Sequence, residues 1–226
     1  MFSDFKNQSF KNRLHDRWQS SNKSNIFLLI KNYNYYYLKN KIFNIKKFKH
    51  NNLIPQIKKN SIIIEIGIWK SNFSKEIFDN CKPKKLNLAD IWKFNKDIKG
   101  CALQVKGKEP LNQAYFDQDY NETAIKLDHC SNFLIYKSNY KDGSKKFEDN
   151  FFVYIYIYPE HSNRAVQQDL ECWLPKLKKN GYILVDDYDW REEDYSLSVE
   201  RAYQEFFKIN DIKFWCVFKS QTIFIK

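Results

Sequence analysis

The sequence has no GxGxxG run, no CxxC pair, no internal repeat, no Pro/Gly/Ser-rich linker and no apolar stretch long enough to cross a bilayer. Each absence removes a class. Without GxGxxG there is no fingerprint for seating a dinucleotide pyrophosphate on a helix N-terminus. The five cysteines, Cys81, Cys101, Cys130, Cys172 and Cys216, are odd in number and far apart. They carry no zinc-ligand spacing and suit reduced thiols in a cytoplasmic setting. The polar start is unlike a secretory signal, and the apolar run over 26–30 is far shorter than the ~20 residues a spanning helix needs. A soluble chain with no membrane partner is expected. The missing repeats and linkers leave no sign of a second domain.

What is present is a basic, aromatic-rich chain. Its 226 residues are 43% hydrophobic and 18% aromatic, with a formal net charge of +11. That is ample for one buried core and too apolar for disorder. A basic balance favours anionic partners. Here the lysines are spread throughout and accompany many Asn, Ile, Phe and Tyr residues, the signature of A/T-rich codons rather than of a partner.

Residues 1–47 are polar, basic and tyrosine-rich without a clean period. They read as an extension, partly helical, serving as a lid or an oligomer arm such as that of a homodimer. From 48 to 226 the pattern is that of one α/β domain. The run SIIIEI over 61–66 is β-branched throughout, as expected of a strand buried on both faces of a parallel sheet. A helix over 71–80, a strand over 85–90, a helix over 111–127 and a short strand over 133–136 follow. FFVYIYI over 151–157 is another unbroken strand. Val166, Leu170, Trp173, Leu174 and Leu177 share one face of a helix over 162–177, which Asn180-Gly181 stops. A strand over 182–185 ends at Asp186-Asp187. Val199, Ala202, Tyr203, Phe206 and Phe207 mark a last helix. Strands over 213–218 and 222–225 are so close in sequence that they must pair as an antiparallel hairpin. Alternating strands and helices predict a doubly wound, mostly parallel seven-stranded sheet, Rossmann-like, with its ligand site at the carboxyl ends of the strands.

The loop after the first strand, Glu65-Ile66-Gly67-Ile68-Trp69-Lys70-Ser71, holds one glycine, which permits a tight turn and close approach of a ligand to the backbone. It suits a ligand smaller than a dinucleotide, with an adenosine and a charged amino-acid tail. Asp90 ends the second strand, where a carboxylate can accept both hydroxyls of a ribose; the plainer reading is a helix cap or a solvated turn. Asp186-Asp187 is either a pair of oxygen ligands for a hard cation or an acidic turn and helix cap.

Together the runs IIIEIGIWKSNFSKEIF, KPKKLNLADIWKF, NQAYFDQDYNETAI, YIYIYPEHSNRAVQQDLECWLPKLKKNGYILVDDYDW and VERAYQEFF resemble, in order, a class I S-adenosylmethionine-dependent methyltransferase. More narrowly they are similar to the macrocin O-methyltransferase-like group of sugar and macrolide O-methyltransferases. The likeness covers 48–226. It implies a cofactor site of Glu65, Gly67, Lys70 and Ser71 around the methionine tail. It also implies Asp90 on the ribose, Ile91 and Trp92 beside the adenine, and Ser138 and Asn139 near the adenine edge. Asp186 and Asp187 match the paired metal carboxylates of the family, with Mg²⁺ the candidate ion, and Asp186 counts with His161 as a candidate catalytic residue. The acceptor implied is a hydroxyl of a sugar, glycan or other small molecule.

Two departures stand out. Ser71 replaces a family glycine, and Tyr158-Pro159 replaces an Asp-Gly whose Asp serves as metal ligand and base. A tyrosine, with an ordinary pKa near ~10, is a poor base at neutral pH. Three outcomes stay open: Glu160 or His161 takes over as base, His161 being the natural one near neutral pH; the reaction needs no metal; or the chain is a degenerate cofactor-binding or interaction protein. A nucleic-acid methyltransferase is the remaining alternative. It is disfavoured because Tyr158-Pro159-Glu160-His161 is not an Asn-Pro-Pro-Tyr-like base clamp.

Overall fold

Strand β1 (Ile62–Ile66) and strand β4 (Phe152–Ile157) lie side by side at the centre of the sheet, in parallel register with Glu65 opposite Tyr156. The computed structural model describes residues 57–94, 112–188, 190, 198–210, 212, 215–218 and 221–226; the extension expected over 1–47 lies outside them. Around the central pair stand β2 (Lys85–Asp90), β3 (Phe133–Lys137), β5 (Leu177–Val185), β6 (Trp215–Phe218) and β7 (Gln221–Ile225). The seven strands run in the order β3-β2-β1-β4-β5-β7-β6. β1 to β5 are parallel, and β7 runs antiparallel to both β5 and β6. The doubly wound sheet with its terminal hairpin is therefore the one the sequence predicts.

Side chains alternate across each strand. Ile63, Leu86, Leu88, Tyr154 and Tyr156 point to one core, which α1 (Asn72–Cys81) covers with Phe73 and Ile77. The partly buried Phe116 and Tyr120 of α2 (Gln113–Lys126) pack on the same core. Ile64, Ile66, Ile155, Ile157 and Ile183 point to the other, covered by Val166, Leu170 and Trp173 of α4 (Asn163–Trp173) and by Val199, Ala202, Tyr203, Phe206 and Phe207 of α5 (Ser198–Ile209). With apolar partners on both faces, β1 and β4 need no polar side, which is why they read as continuous apolar runs.

Three local details differ from expectation. The helix expected over 162–177 ends at Trp173, because Pro175 offers no N–H to continue the ladder. Leu177, at the helical spacing, instead opens β5 opposite Phe152. Asn180-Gly181, expected as a turn between helix and strand, lies inside β5 at a bulge where the register jumps from Phe152–Leu177 to Tyr154–Tyr182. Asn180 takes φ +62° there. Third, a five-residue helix, α3 (Tyr140–Ser144), follows β3, capped by Asn139. Among the described residues no helix is long and apolar enough to cross a membrane.

The strand order turns back between β1 and β4. The loops leaving these two strands diverge and open a crevice at their carboxyl ends.

Candidate cofactor and acceptor site

The β1–α1 loop fills one wall of that crevice. Gly67 takes φ +76°, and a Cβ there would lie 2.3 Å from the Tyr158 carbonyl oxygen. The loop is tied to both neighbours: Gly67 N–H donates to Ala89 O (3.0 Å), and Tyr158 N–H donates to Ile66 O (2.8 Å). Trp69 (φ +49°) and Ser71 (φ +53°) also adopt left-handed backbone. At Ser71 this conformation is the physical reason a glycine suits the position. Ser71 is buried and its hydroxyl donates to Lys70 O (2.7 Å).

What holds the loop is Asp90. Its Oδ2 accepts from Ile68 N–H (2.7 Å) and Trp69 N–H (3.1 Å), and its Oδ1 from Trp92 N–H (3.1 Å). The acid expected at a ribose is thus also the internal clasp of the loop. Glu65 is buried and accepts from Ser74 Oγ (2.5 Å). Burial pushes its carboxyl up to about 8, with the Asp90 charge adding and the Ser74 bond opposing. A cation placed beside it would draw the proton off.

Lys70 lies with its ammonium 5.4 Å from the Trp69 ring and 5.6 Å from the Tyr115 ring. The neighbouring Tyr115 phenol is the main cause raising its pKa. Ile91 and Trp92, expected together beside an adenine, part company. Ile91 is 46% exposed, whereas Trp92 is 1% exposed and turns edge-on to Tyr120, with ring centroids 5.1 Å apart. Ser138 reaches the site through its backbone, donating N–H to Asp90 O (2.9 Å). The Asn139 side chain caps α3, accepting from Asp142 N–H and donating to Asp142 Oδ2, both at 2.9 Å.

The opposite wall comes from the ends of β4 and β5. His161 Nε2–H donates to Asp187 Oδ2 (3.1 Å), and both residues are buried. The imidazole stacks on Trp190 with centroids 3.8 Å apart and planes at 15°. Ser198 Oγ donates to His161 O (2.6 Å), fixing the backbone as well. The Tyr158 ring stands edge-on to His161 at 6.1 Å, so one residue links the histidine to the Gly67 turn. Asp186 is occupied differently: Oδ2 accepts from Tyr156 O–H (3.0 Å) and Oδ1 from Asp187 N–H (3.0 Å). Tyr156 is buried with its pKa far above the usual phenol range, through desolvation and then the Asp186 and Glu65 charges, and so remains a donor.

The two carboxylates therefore serve different partners. Among the described residues no group of three or more His, Cys, Asp or Glu is placed to hold a metal ion. The donors among the described residues do not make up a Mg²⁺ site, for which Asp186 and Asp187 were the expected ligands. Sequence reading missed Trp190 and Tyr156. Tyr156 left one signal, its place opposite the one acid of β1, Glu65, in the β1–β4 pairing.

A model of the family described as a methyltransferase domain matches residues 64–188, more than half of the chain. No curated protein matches it in sequence. Among solved structures it is similar to an S-adenosylmethionine-dependent methyltransferase from Aquifex aeolicus, at 13% identity and TM-score 0.53, covering 81% of this chain and 95% of that one. It is also similar to a spermidine synthase bound to the transition-state analogue AdoDATO, at 14% identity and TM-score 0.51, over 77% of this chain. The match spans 56% of the synthase. A third similar structure is the CurJ carbon methyltransferase, at 12% identity and TM-score 0.51, over 74% of this chain and 48% of that one. These likenesses show a shared fold. With the family match over the β1-to-β5 core, the chain belongs to the methyltransferase domain family.

Proposed function

We propose that this enzyme methylates a hydroxyl of a sugar, glycan or other small hydroxylated molecule. His161 is its general base and Asp187 the group that orients that base. The observation that carries the reading is the buried His161–Asp187 hydrogen bond at the ends of β4 and β5. Through Tyr158 it lies beside the Gly67 turn.

The residues of the β1–β2 half fit the cofactor. Glu65 is a buried acid whose pKa falls when a cation arrives, which suits the methionine ammonium. Gly67 keeps the turn free of a side chain, and Asp90 stands at the ribose position. The cofactor supplies a methyl group on a sulfonium, already a good leaving group. The protein has to align the acceptor oxygen and take its proton. With Nε2–H donating to Asp187, the proton-accepting nitrogen of His161 is Nδ1. Asp187 then stabilises the imidazolium, as the orienting carboxylate of a His-containing triad does. Trp190 holds the ring plane. Asp186, bonded to Tyr156 and to the Asp187 amide, keeps the strand end in shape. No step needs a metal.

The test is methyl transfer from labelled S-adenosylmethionine to a panel of free sugars, glycosides and nucleotide sugars, with and without EDTA. The expected outcome is turnover insensitive to EDTA, lowered by His161→Gln about 10²- to 10⁴-fold, with S-adenosylhomocysteine affinity kept within about twofold. Equal loss of turnover and affinity, or no loss of turnover, would overturn the base assignment. Abolition by EDTA with rescue by Mg²⁺ would overturn the metal-free mechanism. Cofactor binding without transfer to any hydroxyl would leave a cofactor-binding protein.

A further inference from the structure

Amphipathic helices bury apolar residues, but the residues α2 buries are Asp119 and Thr123. Thr123 is accounted for, since its hydroxyl donates to the Asp119 carbonyl at 2.9 Å. The Asp119 side chain is not. Only 4% of the residue is exposed, and its Oδ2 accepts no hydrogen bond among the described residues. Leaving a carboxylate oxygen desolvated and unbonded is unfavourable in the free protein. Its neighbours on α2 place it. The Tyr115 ring lies 5.6 Å from the Lys70 ammonium, and the Tyr120 ring lies 5.1 Å from the Trp92 ring, centroid to centroid. Asp119, between them in sequence and buried, therefore faces the β1–α1 loop and the segment that follows Asp90. Burial raises its carboxyl pKa, and Lys70 and Asp90 are among the charges that act on it.

Asp90 has a matching shortage. A carboxylate offers about four acceptor positions. Three are filled by the amides of Ile68, Trp69 and Trp92. A ribose brings two hydroxyl donors, so one carboxylate held in this way is one acceptor short.

We propose that Asp119 is the second carboxylate of the ribose site, with Asp90 accepting one ribose hydroxyl and Asp119 Oδ2 the other. This rests on Asp90 facing the ribose. It separates Asp119 from a purely structural acid. A counter-ion for Lys70 stabilises the free protein, whereas an acceptor waiting for a ligand weakens it.

The experiment uses the whole chain, with Asp119→Leu and Asp119→Asn. Calorimetry is run with S-adenosylhomocysteine and with its 2′-deoxy and 3′-deoxy analogues. Asp119→Leu is expected to leave the Tm of the free protein unchanged or raised. It should weaken S-adenosylhomocysteine binding about tenfold to a hundredfold, the worth of a hydrogen bond to a charged group. One deoxy analogue should bind the wild type that much more weakly and be indifferent to Asp119→Leu, the signature of a coupled pair. The proposal is overturned by a lowered Tm with unchanged affinity, which is the Lys70 counter-ion. It is equally overturned by the same loss for the parent ligand and both analogues. A wild type that binds none of the three ligands overturns the ribose reading of Asp90 itself, an outcome distinct from either.

Discussion

Replacing Gly67 with alanine adds one methyl group where the β1–α1 turn meets the end of β4. The new Cβ would sit 2.3 Å from the Tyr158 carbonyl oxygen and 3.2 Å from the Tyr158 Cβ. The oxygen belongs to the backbone at the end of β4, so it cannot rotate away. Either β1 or β4 shifts by about 1 Å, and overpacking of this kind costs about 1–3 kcal/mol. The residue must also hold φ +76°, which costs a non-glycine residue about 1–2 kcal/mol. The sum is about 2–5 kcal/mol, a large part of a stability that for most domains is about 5–15 kcal/mol. The same shift carries the Ile68 and Trp69 amides away from Asp90, so binding suffers along with folding. Urea denaturation reads the first effect and calorimetry with S-adenosylhomocysteine the second. Gly143→Ala is the control. Its Cβ would crowd the Ser138 hydroxyl, at 3.1 Å, a side chain that can turn, and would meet the Trp173 ring at ordinary contact distance, 3.5 Å; a change below about 1 kcal/mol is expected. A Gly67→Ala protein with an unshifted midpoint and unchanged affinity would refute the account of the crevice.

Asp90→Ala should lose more than a ligand contact. Three backbone amides lose their acceptor, so the free protein is destabilised by about 1–3 kcal/mol, and hydrogen exchange at Ile68 and Trp69 accelerates; unchanged exchange there means that the clasp is absent in solution. Stability should also respond to pH through two buried acids. Glu65 and Asp169 are each pushed up to about 8, chiefly by burial, while an unfolded carboxyl titrates near ~4. The folded chain binds more protons across that window, so these groups make stability fall as pH rises from about 4 to about 8 and level off above it. Asp169→Asn should flatten that slope in urea midpoints measured from pH 5 to 9, and an unaltered slope would remove Asp169 as a cause.

Much of the fold can be read along the chain because the central strands are apolar on both faces. IIIEI and FVYIYI tolerate no other placement, and the residues just after them mark the crevice. Strand-end logic placed Glu65, Gly67, Asp90, His161 and Asp187 at that edge. It could not show which atoms they touch. That Asp90 clasps its own loop depends on left-handed turns at Trp69 and Ser71, side chains that usually avoid them. The stack of Trp190 on His161 joins positions with no shared period. Leu177 misled because a buried leucine fits a helix face and a strand equally well. In α2 the buried residues, Asp119 and Thr123, are polar, so a hydrophobic pattern overlooks them.

The turning point of the strand order divides the labour of the molecule. In the proposed reading, everything that greets the cofactor, from Glu65 to Asp119, hangs from β1, β2 and the helices on one flank. Everything that deprotonates the acceptor hangs from β4, β5 and the segment that follows. The two meet along the β1–β4 pairing, where Glu65 stands opposite Tyr156 and the Gly67 turn lies against Tyr158. Descendants of such a chain are free to rewrite one half, and with it the molecule that receives the methyl group, while inheriting the other unchanged.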